Sequence, residues 1–305
     1  MSTVAHDHLV RAIGFGGRAR AVVAVTTTTV EELRSLHDPS PEVAVAVGRL
    51  ATGALLLASS LEKVTRMEPM LTLEVDGGGP AGRLVATASP SGWVRAMVAN
   101  PLASAEPDEQ GRLRVAEVVG DSGQLVVTRD AGVGRPYRGV VDLVSGELAK
   151  DLAYYLSESE QMPAAVVLGV QAVRAGRMEN AGGLLVQLLP GVSDEQAFEL
   201  TDRIRELGAV SSRLADGEPP RHWLATIFPE GCTILDETPV RFFCGCSRDR
   251  AEATMKLLGS EEIEAAMAEG DDDDVVVKCG FCATEYVLPR VRLITLMDEI
   301  AAEGP

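Results

Sequence analysis

Hydrophobic positions follow two periods along this chain, and each change of period marks an element. Over residues 41–63, Val43, Val47, Leu50, Ala54, Leu57 and Leu61 fall at helical spacing, which predicts a largely buried helix. Residues 70–75 alternate apolar and polar instead, the period of a half-buried strand. Gly77-Gly78-Gly79-Pro80 then turns the chain into 83–88, so a hairpin is predicted there. Further short strands are predicted over 93–98, 124–128, 137–143, 165–173 and 183–189. A helix over 145–160 ends before Pro163.

After Pro190 the pattern changes. Ser193 or Asp194 can cap a helix carrying Ala197, Leu200, Ile204 and Leu207 on one face, while Gly217, Pro219 and Pro220 interrupt the helical pattern before 222–228 resumes it. This stretch is predicted to be a connector of modest apolar content. Beyond it, Ser247 or Asp249 starts a helix with Ala251, Thr254, Met255 and Leu258 facing one way. Gly259 ends that helix, Ser260 caps the next and Gly270 closes it. Residues 275–278 can pair with 284–288, and a last helix over 291–301 carries Leu293, Met297 and Ile300 on one side. The predicted class is α+β: a mixed α/β N-terminal core over 1–190, a helical linker over 191–240 and a small C-terminal domain over 241–305, where Cys244, Cys246, Cys279 and Cys282 form two close pairs that suit zinc binding.

Composition narrows the function. Hydrophobic residues make up 46 % of the 305 and aromatic ones 4 %, so the core should be aliphatic. A formal charge of −17 argues against nucleic acid or an anionic membrane as partner, since both are met by clustered Lys and Arg. Asp271 to Asp274, with Glu261, Glu262, Glu264 and Glu269 before them, read as a solvated face. Residues 1–20 lack a basic start followed by an apolar stretch, and the longest apolar tract, 43–61, is broken by Arg49 and falls short of a membrane span. A cytoplasmic location is therefore expected, where paired cysteines mark metal or redox chemistry more often than structural disulfides. The glycine clusters lack the spacing of phosphate-binding loops and are read as turns. The four histidines (His6, His8, His37 and His222) are scattered, and no nucleophile or acid–base constellation emerges, so no catalytic residue is assigned.

Four of the five cysteines carry the chemistry. Cys244-Gly245-Cys246 is followed, after 32 intervening residues, by Cys279-Gly280-Phe281-Cys282. Four soft donors in two close pairs match tetrahedral zinc and leave no open coordination position. Cys232 lies outside the pattern and is read as an unliganded thiol. A domain of this size has a small core, so metal binding, worth roughly 10–16 kcal/mol in small zinc modules, should supply much of its folding energy. Zinc holds cysteine as thiolate, the oxidisable form, and Arg248, Arg250 and a helix start add positive potential beside the first pair. Two extended residues set the Cα atoms of a Cys-x-Cys about 6.6 Å apart, near the outer limit for a disulfide. Oxidising either pair would remove two of four ligands. A purely structural zinc and a redox-sensitive one are both compatible with these residues.

A resemblance separates the two. Cys-Gly-Cys-Ser-Arg-Asp-Arg at 244–250, Cys-Gly-Phe-Cys at 279–282 and Tyr286 resemble the zinc module of the redox-regulated bacterial chaperone family of heat-shock protein 33. Asp7-His8-Leu9-Val10-Arg11, the helix at 41–61, Gly139-Val140-Val141, Ser159-Glu160-Gln161-Met162-Pro163 and Ala181-Gly182-Gly183 are similar to that family's core, in order and across effectively the whole chain. The resemblance implies an ATP-independent holdase, not an enzyme, inactive while reduced with one Zn2+ per chain on Cys244, Cys246, Cys279 and Cys282. It implies disulfides Cys244–Cys246 and Cys279–Cys282 on oxidation, zinc release, and unfolding of the C-terminal domain and linker. The oxidised chain would form homodimers and capture unfolding or oxidatively damaged client proteins. Two features depart from the family: Ala283-Thr284, where glycine is frequent, and Cys232, which could form off-pathway disulfides. A zinc-ribbon module that binds a fixed partner without switching is the alternative. An enzymatic zinc is disfavoured, because four thiolates leave no site for an activated water.

Overall fold

A computed structural model describes residues 6–62, 66–172, 177–269 and 274–303. The chain divides into two units, Met1–Phe243 and Cys244–Pro305. The expected helix end at Lys63, strand end at Val173 and helix stop at Gly270 lie outside the described residues, as do Asp271 to Asp273.

The first unit opens with β1 (His8–Gly14), β2 (Ala19–Val25), α1 (Thr27–His37) and α2 (Pro41–Ala58). Ser40 starts α2 by accepting the Val43 amide at 3.3 Å, with Pro41 in the first turn where no amide is needed. All of α2 but Pro41 and Arg49 is buried. It is the helix, among the described residues, long and apolar enough to cross a membrane, and it lies inside the protein instead. α1 has no cap of its own: the two carboxylate oxygens of buried Asp7 accept the Thr28 and Thr29 amides at 3.1 and 2.6 Å.

Next come β3 (Met70–Asp76), β4 (Leu84–Ala88), β5 (Trp93–Val98), α3 (Val115–Val119), β6 (Gln124–Asp130), β7 (Tyr137–Asp142), α4 (Leu148–Glu158), β8 (Ala164–Ala172) and β9 (Met178–Leu188). The triple-glycine turn between β3 and β4 brings Gly77 so close to the Gly120 carbonyl that a Cβ would collide with it. After β9 the chain forms α5 (Asp194–Leu207), α6 (Val210–Ala215), α7 (Pro220–Ile227), β10 (Cys232–Pro239) and β11 (Arg241–Phe242). Ser193 and Gln196 form a reciprocal capping box at the start of α5.

Two sheets result, in the orders β10-β1-β2-β9-β8 and β11-β5-β4-β3-β6-β7. α2 packs on strands of both. Successive side chains of a strand point to opposite faces, and the first sheet is apolar on both. Leu9, Val22, Ala24 and Leu185 join the α2 core. Val10, Ala12, Ala21, Val23, Leu184 and Val186 join a second core with Leu200, Ile204, Leu207, Val210, Trp223, Leu224, Ile227 and Phe228 from α5 to α7 and its end. Phe228 lies against bare backbone at Gly14, where a Cβ would collide with its ring.

Residues 191–240 are thus richer in packed apolar side chains than their sequence suggests. Their hydrophobic residues are divided among three short helices with separate faces, so no single period runs through them. The segment is also not wholly helical: β10 pairs antiparallel with β1, and Arg11 Nε reaches both carboxylate oxygens of Asp236 at 2.9 Å. Trp223 is fully buried, and its indole N–H has no hydrogen-bond partner among the described residues.

The second unit holds α8 (Arg248–Leu258), α9 (Ser260–Glu269), β12 (Asp274–Lys278), β13 (Glu285–Pro289) and α10 (Arg290–Glu303). β12 and β13 form the expected hairpin, with Val277 opposite Tyr286. Its core is Met255, Ile263, Leu288, Leu293 and Leu296.

Candidate metal centre

All four paired cysteines converge. Cys244 and Cys246 lie between β11 and α8, and Cys279 and Cys282 occupy the turn of the β12–β13 hairpin. Ser247 caps α8 by accepting the Arg250 amide, and Arg250 Nη1 donates to the Gly245 carbonyl at 2.6 Å, closing the Cys-x-Cys loop on itself. Arg248 Nη2 donates to the Val287 carbonyl at 2.9 Å, tying that loop to the hairpin. Both arginines, expected to supply positive potential, are therefore also backbone braces. In the hairpin turn, the Cys279 and Thr284 backbones and the Ala283 and Cys279 backbones are bonded at 2.9 Å each. Ala283 takes φ +56°, the left-handed region that costs a residue with a Cβ about 1–2 kcal/mol. It is the first residue of the Ala283-Thr284 pair, noted above as a departure from the resemblance.

The four sulfurs lie within 4.8 Å of one another. Cys244 and Cys279 Sγ are 3.7 Å apart, and Cys246 and Cys282 Sγ are 3.3 Å apart. A tetrahedral zinc with Zn–S bonds of about 2.3 Å requires sulfur–sulfur edges of about 3.8 Å. The donor set therefore fits zinc in number, softness and spacing. Cys232 stands apart at the start of β10 opposite Gly14, packs against the second core and has its thiol pKa raised by burial.

Two further side chains reach the sulfurs. The Tyr286 hydroxyl donates to Cys246 Sγ at 3.0 Å, and Thr284 Oγ1 lies 3.2 Å from Cys282 Sγ. As thiols, Cys244, Cys246 and Cys282 differ. Burial pushes Cys244 up to about 12. The Tyr286 hydroxyl lowers Cys246, yet burial and the neighbouring thiols leave it raised. Burial raises Cys282, but the Thr284 hydroxyl and amide outweigh it and bring the thiol to about 7. Tyr286 itself is pushed up to about 12, chiefly by its bond to Cys246. Sequence spacing singled out the four cysteines that cluster here but assigned neither Thr284 nor Tyr286 a role. Which sulfur each one meets depends on the hairpin register and on how the Cys-x-Cys loop lies against it.

A family model described as Hsp33 protein matches residues 7–289. The chain is similar to the 33 kDa chaperonin of Bacillus licheniformis, with 37 % identity covering 96 % of this chain and 100 % of that one. It is similar to the 33 kDa chaperonin of Staphylococcus aureus, with 36 % identity over 97 % of this chain and 99 % of that one. Its fold superposes on the crystal structure of the 33 kDa chaperonin (heat shock protein 33 homolog) of Thermotoga maritima with a TM-score of 0.86 and 30 % identity, covering 97 % of this chain and 99 % of that one.

Proposed function

This chain belongs to the Hsp33 family of chaperones, and from that premise we propose that it is a redox-regulated, ATP-independent holdase switched on by disulfide formation and zinc release. The observation that carries the reading is the four-sulfur cluster, set in a unit whose hydrophobic cluster, among the described residues, has five buried members. In the reduced state one zinc ion per chain is held by Cys244, Cys246, Cys279 and Cys282. Bound there, the metal supplies charge that keeps the sulfurs as thiolates and cross-links the Cys-x-Cys loop to the hairpin. Oxidation joins Cys244 to Cys246 and Cys279 to Cys282. For each disulfide two thiolates give two electrons to one peroxide, which with two protons becomes two waters. Each new S–S bond withdraws two donors from the ligand set.

The division of labour we propose is a client-binding core over 1–190, a releasable linker over 191–240 and the zinc switch over 241–305. The linker's contribution rests on what it covers. With α5 to α7 removed, the first sheet would present Val10, Ala12, Ala21, Val23, Leu184 and Val186, and the helices would present Trp223, Leu224 and Phe228. The expected reason for low linker stability, a shortage of apolar residues, gives way to two others. α6 and α7 span six and eight residues, too short to be stable as isolated helices. The unpaired indole N–H of Trp223 costs about 1–3 kcal/mol. Chain continuity supplies a link, since β11 ends two residues before Cys244. Clients are unfolding or oxidatively damaged proteins, the oxidised form is a homodimer, and the site of action is the cytoplasm.

Peroxide with mild heating should turn the protein from a poor into an effective suppressor of client aggregation without nucleotide, as zinc appears in solution. Equal suppression by the reduced, zinc-loaded protein would overturn the switch and leave a constitutive binder.

A further inference from the structure

Among the polar groups around the cluster, Tyr286 makes a tie between its two halves. It stands on β13, on the hairpin that carries Cys279 and Cys282, while its hydroxyl donates to Cys246 Sγ in the opposite loop at 3.0 Å. Cys246 is also the sulfur that lies 3.3 Å from Cys282, so the hydroxyl acts at a point where the two halves meet. The aromatic ring is half-buried and stands outside the unit's five-residue core. Filling that core therefore does not explain why a phenol occupies this place.

We propose that Tyr286 is a positioning residue of the four-cysteine site, whose hydrogen bond to Cys246 Sγ holds that sulfur in the ligand set and slows its reaction with peroxide. The inference rests on the zinc and redox reading of the cluster. A thiolate has lone pairs for the metal, for a hydrogen-bond donor and for an oxidant. In the oxidative step the Cys246 thiolate attacks one peroxide oxygen, the O–O bond breaks, and hydroxide departs to leave a sulfenic acid. A second thiolate then displaces hydroxide from that sulfur as the S–S bond forms. A hydrogen bond donated to Cys246 draws charge from the attacking atom and reduces its nucleophilicity, and it also fixes the direction from which the sulfur faces the metal. Hydrogen bonds to metal ligands from outside the ligand set are commonly worth about 10–100-fold in metal affinity.

Tyr286→Phe in the full chain retains the ring and removes the hydroxyl. Competition against a chromogenic chelator should show zinc held about 10-fold less tightly, and peroxide should release the metal several-fold faster. In the cobalt(II)-substituted protein the sulfur-to-cobalt charge-transfer band should shift, a signature that ring packing alone does not move. Placing 3-fluorotyrosine at 286, a more acidic phenol and stronger donor, should slow metal release below the wild-type rate. It also decides the question should the Phe variant fail to fold. A wild-type chain that takes up no cobalt would overturn the metal reading, and this assignment with it. A cobalt-binding wild type whose Phe and fluorotyrosine variants match it in affinity, band position and release rate would overturn the assignment alone.

Discussion

The units Met1–Phe243 and Cys244–Pro305 are stabilised in different ways. The first surrounds α2 with two sheets and adds a second core on the far face of one of them, so nearly every strand buries aliphatic side chains. The second has, among the described residues, a buried cluster of five side chains and exposes Leu257, Val276, Val287 and Val291. Apolar burial alone is marginal at such a size, and natural modules of this scale add metals or disulfides to it. A metal held by the four clustered sulfurs would therefore have a far greater effect in the small unit than the same chemistry would have in the large one. The proposed switch puts reactivity and structural support on the same atoms, so that loss of one would entail loss of the other.

The largest test of that contrast removes the metal. A strong chelator under reducing conditions, or Cys279→Ser, should unfold 244–303 at a cost on the order of 10 kcal/mol while the α2 core stays protected from amide hydrogen exchange. Retained protection in both units would break the comparison. Full zinc occupancy in a Cys244→Ser, Cys279→Ser double variant would refute the ligand assignment.

Core substitutions sharpen the contrast within the first unit. Leu55→Ala in α2 and Leu224→Ala in α7 should each cost about 2–5 kcal/mol, since both residues are fully buried. Leu55→Ala should lower the melting temperature of the whole unit. Leu224→Ala should speed exchange mainly over 194–239 and reduce the oxidant needed for activity. Identical exchange patterns in the two variants would show that linker and core melt as one.

A smaller effect is expected at the hairpin turn. Ala283→Gly relieves a left-handed backbone angle and should stabilise the second unit by about 1 kcal/mol, after allowing for the greater freedom of glycine when unfolded. Zinc competition measured with and without the substitution would detect it, and a loss of affinity would contradict the strain.

The smallest effect depends on pH. Hydrogen bonds from Arg11 hold Asp236 below the usual carboxylate range despite the opposing effect of burial. Its folded pKa therefore lies below its unfolded value, so its contribution is present above the unfolded pKa and is lost as pH falls through the folded one. Both side chains are about a third exposed, so screening holds the pair under ~1 kcal/mol. Asp236→Asn should speed exchange along β10 slightly at neutral pH, and wild type and variant should converge in strong acid.

Much of this architecture was legible in local pattern. The helix predicted from 41 onward and the strands β3 to β9 fall within a few residues of their expected bounds, as does the β12–β13 hairpin, because each has one clear period or a glycine-marked turn. β1, β2 and α1 were not read. His8–Gly14 and Ala19–Val25 are apolar on both faces of their sheet, which erases alternation. β10 does alternate in burial, yet it contains Asp236 and Glu237, ends at Pro239 and finds its partner more than 200 residues away. The four cysteines that the fold brings together could be singled out from spacing alone, because two close pairs of soft donors leave few ways to be grouped. Asp7, Thr284 and Tyr286 could not, since each acts through a contact that exists only once distant segments meet.

That long-range pairing also bears on how the protein is made. Arg11 and Asp236 are separated by 225 positions, so at about 5–20 residues per second the ribosome needs roughly 10–45 s to deliver β10 after β1 has emerged. Throughout that interval β1 has an unpaired edge, and the sheet face beneath α5 to α7 is uncovered until those helices emerge. The state reached when the linker is released would present the same edge and the same face. A chaperone built in this way would, on activation, return to the condition of its own unfinished chain, and its synthesis would leave it exposed to the aggregation it later prevents in others.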